Sequence, residues 1–427
     1  MSEETDQNSE LTETKNDKHP VYHVVFMHSK FQQEYDDVYM MDLTHALEKR
    51  GHEVTIYTSG FNEDDYDIDC LRENVQIKFS GSWIPNSIFG LFGRTLERIK
   101  AIWMSLRLVL FPPKPVPKLV VLDIDAIALL ILYFFGKHKT IYIHHFPELR
   151  ASEFYHCSMH VTPDLITAKC INYANDIIVQ TKGLFDVCRR TYPKLSVDPV
   201  ILLPSYDTGL WLEDSIDVKR IIPDLPKDCV LFVAFGEYKK RTNFKLVLDA
   251  LEHLFSFAEN IIKQKIHVAI AGDYNDCSSS QNHHYYDLIN KIKNKPYAAQ
   301  ITFLKQIPII YQKTLIKECT ALINPTRHDL YPGAILAAMS LSKPIITVNC
   351  GFAVDVMMHR LTGVLVEPDP YKFAKVMVKL ALSKTLQHFL GDMSYSHFSA
   401  AYSFDRFTTK FNNLILKHLD PNYDPSK

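Results

Sequence analysis

Three stretches of this 427-residue chain combine residue types that could do chemistry. The first is Ala321–Gly351, ALINPTRHDLYPGAILAAMSLSKPIITVNCG, which reads as strand, polar loop, helix, strand. In a parallel sheet such a loop lies at the carboxyl end of its strand. The helix that follows, opening at Gly333, aims its free amides into the crevice, where they suit a phosphate. The second is Gly236–Asn243, GEYKKRTN, where Gly236 is followed by the cations Lys239, Lys240 and Arg241 at the end of an apolar strand. The third is the pair His144-His145 after the strand Thr140–His144. Neighbours on a strand point to opposite faces, so only one of the two can face a crevice. Two acidic triplets, Asp67-Ile68-Asp69 and Asp123-Ile124-Asp125, have the spacing of a metal signature, but such triplets are common by chance and neither is assigned a metal. The pair His283-His284 lies in CSSSQNHHYY, read as a solvated loop.

These groups need a scaffold, and the chain has the length and apolar content for one. At roughly 150 residues per domain the length implies two or three domains, and 47% of residues are hydrophobic. The net charge of −2 gives no footprint for nucleic acid. Eight scattered cysteines without a CxxC pair argue for a reducing compartment and against a zinc site. Residues 1–20 are polar and read as a disordered tail without the order of a secretory signal. The longest apolar run, Leu119–Phe135, contains two aspartates and reads as a buried strand plus helix rather than a span. In Ile99–Leu110, Ile99, Ile102, Trp103, Leu106, Val109 and Leu110 share a helical face flanked by Arg94, Arg98, Lys100 and Arg107. That pattern fits either a core-facing helix or one lying in a membrane interface.

The order of elements is α/β throughout. Val21–His28, the helix Tyr35–Lys49 and Glu53–Thr58 form a βαβ unit, with strands expected at 119–122, 140–144, 177–180 and 200–203. A second array follows, with strands at 230–235, 266–271, 301–304, 321–324, 344–349 and 364–367 and helices at 243–257 and 285–293. Two such arrays predict two doubly wound Rossmann-like domains, 21–222 and 223–395, with ligand in the cleft between them. A last helix, in 396–427, has Phe404, Phe407, Phe411, Leu414 and Ile415 at helical spacing. No GxGxxG follows any strand, which excludes the dinucleotide-binding fingerprint.

Several short motifs coincide along the chain: GSWIP (Gly81–Pro85), HFPE (His145–Glu148), LPS (Leu203–Ser205), Ala338-Met339 before a strand, and TGVLVEPDP (Thr362–Pro370). With them the chain resembles the retaining glycosyltransferases of the GT-B fold. Within that fold it resembles the alpha-1,3/1,6-mannosyltransferases of dolichol-linked oligosaccharide synthesis, from about Val21 to Leu419. The resemblance implies GDP-mannose as donor, no metal or other cofactor, and a dolichol-linked glycan acceptor. It also implies work on the cytosolic face of the endoplasmic reticulum membrane, beside other glycosyltransferases of the pathway, and a last helix that crosses back onto the first domain. It selects His145, which precedes Phe-Pro, as the residue that holds or polarises a sugar hydroxyl. It makes Asp329 the carboxylate near the reacting centre; Gly236 and Gly333 join the donor-binding set, with Lys239, Lys240 and Arg241 standing in for the family's cations if the loop slips by one residue.

The chain departs from the family pattern at three places, all on the donor side or at the first turn. An arginine and a lysine are expected where Glu237 and Thr242 stand, and a carboxylate facing a diphosphate is repulsive. Asp329 and Ala337 replace two glutamates, and Ala337 cannot grip a ribose hydroxyl. Glu34 and Tyr35, followed by Asp36 and Asp37, replace a glycine pair, and glycine is scarce overall at 14 residues. These departures leave two alternatives beside a mannosyltransferase: a catalytically silent GT-B homologue acting as scaffold or regulator, and a transferase for another nucleotide sugar.

Overall fold

The computed structural model describes residues 20–31, 35–61, 74–88, 91–146, 164–206, 216–274, 278–327 and 333–423. Runs of β-branched and aromatic residues form two parallel sheets. The first contains β1 (His23–His28), β2 (Glu53–Thr58), β3 (Val75–Phe79), β4 (Leu119–Leu122), β5 (Lys139–Ile143), β6 (Asp176–Val179) and β7 (Val200–Ile201), in the order β3-β2-β1-β4-β5-β6-β7. The second contains β8 (Val230–Glu237), β9 (Ile266–Asp273), β10 (Ile301–Lys305), β11 (Ala321–Asn324), β12 (Ile345–Val348) and β13 (Val364–Val366), in the order β10-β9-β8-β11-β12-β13. Every ladder pair in both sheets is parallel. Helices cover both faces, so central strands such as β4 and β11 are buried along their whole length.

The strand order reverses beside the first strand of each sheet: between β1 and β4, and between β8 and β11. Ligands of open α/β sheets bind outside the carboxyl ends of the strands at such a switch point. Two places are thereby singled out, one in each sheet.

The helix Phe404–Leu419 packs Phe407, Phe411, Ile415 and Leu419 into the same cluster as Val24, Phe26, Tyr39 and Ile141 of the first sheet's side. Asp355, on the short helix Ala353–Val356 of the second sheet's side, accepts a hydrogen bond from the Gly183 amide at 2.9 Å. Gly183 lies at the start of the helix Lys182–Thr191 beside the first sheet, where a carboxylate suits the positive end of the helix.

Three local expectations change. Ser279–Ile292 is helical, so His283 and His284 sit on a helix rather than in a loop. Ser278 caps it by accepting from the Gln281 amide, and a polar CSSS is as good a cap as a loop. The edge strand β3 was not expected. Its sequence, VQIKF, is only partly buried and carries a weak alternation. The helix around Ile99 runs from Gly93 to Leu110, and the residues it buries are Leu96, Lys100, Ala101, Met104, Ser105 and Leu108. The expected apolar face is the other one: Ile99, Trp103 and Leu110 are exposed. The run Leu119–Phe135 divides into β4, the helix Ile127–Ile131 and a π-turn at Leu132–Gly136. Among the described residues no helix is long and apolar enough to cross a membrane.

Candidate active site

At the switch point of the first sheet, four adjacent strands each end on a polar residue. His28 closes β1, Asp123 follows β4, His145 lies two residues past β5, and Gln180 follows β6. All four are almost fully buried, and they form one network. Asp123 Oδ2 lies 2.8 Å from His28 Nδ1 and 3.2 Å from His145 Nε2. Gln180 Nε2 lies 3.0 Å from His145 Nδ1. His28 Nε2 is 2.8 Å from Asp37 Oδ1, which ties the helix Tyr35–Lys49 into the same network.

The charges follow from these contacts. Burial opposes a charged His28, but Asp123 and Asp37 outweigh it and raise its pKa to about 10. Burial also opposes an ionised Asp123, yet His28 and His145 hold it well below the usual carboxylate range. The network thus contains a buried imidazolium between two carboxylates. His144 points the other way, as strand parity requires. It stacks near Tyr142 and contacts Phe146 and Tyr192, and burial pushes its pKa down to about 3, so it stays neutral. Phe146 holds a left-handed φ of 50° directly before Pro147, an uncommon conformation for a large residue.

His145 is therefore fixed on both ring nitrogens. A sugar hydroxyl could reach Nδ1 only by displacing the Gln180 amide. The other atom of that amide, Gln180 Oε1, is buried without a partner among the described residues. The triplet Asp123-Ile124-Asp125 supplies two separate ion pairs: Asp123 serves the histidines, and Asp125 accepts from Arg98 Nε at 3.1 Å. Asp67 and Asp69 lie outside the described residues.

At the second switch point, β8 ends in the turn that carries Gly236, Lys239, Lys240 and Arg241. Gly236 has φ +155°, and a Cβ there would meet Thr242 Cγ2 at 2.4 Å, so the turn closes only around glycine. Lys239 and Arg241 do not point outward as free cations; both pair with Glu237. Burial opposes its charge, but the two cations still lower the Glu237 pKa. Asp273, paired with Glu237 across β8 and β9, is pushed up by crowding and then by the Glu237 charge, although much of its surface is open. Lys240 is exposed and has no ion pair among the described residues.

Asn243 Nδ2 donates to the Pro325 carbonyl at 3.4 Å, which holds this turn against the loop after β11. That loop holds a group the sequence reading passed over as merely polar. Arg327 Nε is buried without a hydrogen-bond partner among the described residues, as are Asn324 Nδ2 and Thr347 Oγ1 at the ends of β11 and β12. Unpaired buried donors are rare in folded proteins and call for an acceptor. The sequence signal was available: Arg327 lies three residues past the short strand ALIN, at the switch point. Asp329 lies outside the described residues. Gly333 opens the helix Gly333–Ser340. Ala337 is inside an apolar cluster with Leu336, Met339, Phe352 and Tyr402. Glu34 lies outside the described residues, while Asp37 turns inward to His28.

The glycosyl transferases group 1 family matches residues 215–396, the part of the chain that forms the second sheet. The solved structures that superpose on the chain cover almost all of it. A glycosyltransferase from Rickettsia africae has a TM-score of 0.74 at 13% identity, over 95% of this chain and 100% of its own. Sucrose-phosphate synthase from Thermosynechococcus elongatus has 0.72 at 13% identity, over 93% and 99%. The chain has the GT-B fold, and its second half matches a glycosyl transferases group 1 domain. Among curated proteins the chain is similar to alpha-1,3/1,6-mannosyltransferase ALG2 of Homo sapiens, at 23% identity over 94% of this chain and 98% of that one. The Dictyostelium discoideum protein of the same name shares 21% identity over 88% and 94%.

Proposed function

We propose that the chain transfers mannose from GDP-mannose to a dolichol-diphosphate-linked oligosaccharide during N-glycan precursor assembly, on the cytosolic face of the endoplasmic reticulum membrane. The end-to-end similarity to mannosyltransferases supports the sugar and the acceptor. The observation that carries the donor assignment is the set of unpartnered donors at the second switch point: Arg327 Nε, Asn324 Nδ2 and Thr347 Oγ1. A diphosphate would satisfy them, and a guanidinium suits phosphate oxygens in shape and charge. Lys240 and the opening amides at Gly333 add to the same side. Catalysis is then positioning plus stabilisation of the leaving diphosphate. His145, locked by Asp123 and Gln180, positions the mannose on the facing sheet, with a sugar hydroxyl taking the place of Gln180 at Nδ1. Exposed Trp83, Leu91, Phe92 and Trp103 beside the first domain's long helix suit the membrane side on which a lipid-linked acceptor must be reached.

One observation favours a second reading, a silent homologue. Glu237 pairs with both Lys239 and Arg241 and cancels one of their two charges, so the turn at β8 offers less positive charge than its three cations suggest. Calorimetric titration of GDP and GDP-mannose into the purified chain separates the two. Micromolar GDP affinity supports the transferase, and heat no larger than that of dilution supports the silent homologue.

A further inference from the structure

At the end of the first sheet opposite the crevice, a hollow of about 690 Å³ opens where β4 and β5 begin. Val116, Lys118, Lys137, Lys139, Lys417 and Asp420 are among its lining residues. Lys139 Nζ donates to the His418 carbonyl at 2.7 Å and so covers the negative end of the last helix. Lys417 lies 3.0 Å from Asp176, whose other close partner is His418 at 2.5 Å, so the Asp176 charge is spent inward. The Lys118 and Lys137 side chains have no ion pair or hydrogen bond among the described residues, and Asp420 is the only carboxylate in the lining. The hollow is thus net basic, with two uncommitted ammonium groups at its mouth.

Its rim is apolar. Val116, in the lining itself, is 60% exposed, Phe111 74% and Phe135, which precedes Gly136 of the lining, 72%. Leu110 and Phe134, the chain neighbours of Phe111 and Phe135, are also exposed. Aromatic and aliphatic side chains standing in water around a basic hollow match the two layers of a membrane surface: acyl boundary for the rim, headgroup phosphate for the lysines. We propose that this hollow binds the phosphate of an anionic lipid headgroup, with Phe111, Val116 and Phe135 entering the lipid interface. The site is separate from the transfer crevice. It rests on the membrane-facing part of the function proposed above and not on donor chemistry.

The test is flotation of the full chain with vesicles of phosphatidylcholine alone or mixed with phosphatidylinositol. The native chain is expected to favour the mixed vesicles at least tenfold. Lys118→Glu with Lys137→Glu is expected to lose at least tenfold of binding to mixed vesicles and none to neutral ones, since each lysine near an anionic surface is worth about fivefold. An unchanged thermal midpoint establishes that the variant folds, and Lys118→Gln with Lys137→Gln serves if it does not. Transfer to a detergent-dispersed acceptor is expected to be unaffected, so a chain that floats selectively without transferase activity leaves this site standing. Equal flotation of variant and native chain on mixed vesicles overturns the proposal. So does saturation of the native chain by inorganic phosphate without any preference for anionic vesicles, which marks a free-phosphate site.

Discussion

At the scale of single residues, the two switch points differ in how their polar groups are satisfied. In the first sheet the histidines and Asp123 satisfy one another, and a buried pair stripped of one partner leaves an uncompensated charge. Asp123→Ala is therefore expected to destabilise the fold by about 3–5 kcal/mol in denaturant unfolding. A loss below about 1 kcal/mol would mean that the network is not formed. The pH dependence has a definite sign. The His28 pKa is raised in the folded state to about 10, so its contribution is fully present below its ordinary value near 6.5 and is lost as pH rises toward 10. The stability gap between the native chain and His28→Gln should shrink over that window, and a gap that widens contradicts the assignment. At the second switch point three buried atoms, Arg327 Nε, Asn324 Nδ2 and Thr347 Oγ1, instead lack partners among the described residues. Arg327→Ala should weaken GDP binding by roughly 10–100-fold, the worth of a charged hydrogen bond, as read by calorimetry. Lys239→Ala should change it less, because Lys239 is held by Glu237. Equal effects would undo this distinction.

At the scale of elements, the packing of the turn after β8 onto β8 and β9 depends on glycine. Gly236 and Gly272 face each other across the ladder, and a Cβ on Gly272 would meet the Tyr238 ring at 2.7 Å. Tyr238 is buried, and its hydroxyl lies within hydrogen-bond reach of the Ile270 and Leu304 carbonyls at 3.0 and 2.9 Å. The ring has little room to yield, so Gly272→Ala should cost about 1–3 kcal/mol in thermal or denaturant unfolding. Most elements could be read beforehand because buried parallel strands are continuous β-branched runs: β4, VVL after Leu119, and β11, ALIN, begin and end where the sequence places them. The elements that escaped have physical reasons. β3 is a partly buried edge, so burial does not impose a continuous apolar run on it. The helix Gly93–Leu110 buries Lys100, whose ammonium reaches Asn86 Oδ1, and that inward lysine inverts the face that hydrophobicity alone suggests. Of the candidate site, His145 could be read from its motif. Its partners His28 and Gln180 could not, because only the sheet order brings the ends of β1, β4, β5 and β6 together. Lys239 and Arg241 looked free in sequence because an ion pair to Glu237 within the same turn leaves no periodic trace.

At the scale of the whole molecule, two sheets share the same order over six strands, with β7 added at the edge of the first, and polar contacts link the two sides. The Asp355–Gly183 hydrogen bond is one of them. Asp355→Ala should leave both cores intact while speeding hydrogen exchange at the Gly183 amide, and unchanged exchange would mean that other contacts hold this amide. The helix Phe404–Leu419 gives the first domain part of its core from the end of the chain, so any movement of the domains must turn about segments rather than separate them. The central claim is that this arrangement still moves mannose despite Glu237, Ala337 and the first-turn substitutions. The most direct measurement is transfer of labelled mannose from GDP-mannose to a dolichol-diphosphate-linked oligosaccharide by the purified, folded chain, with an active relative run alongside. Elongation of the glycan that falls at least a hundredfold in His145→Ala is the predicted result. No elongation by the folded native chain, while the relative extends the same acceptor, would contradict the account.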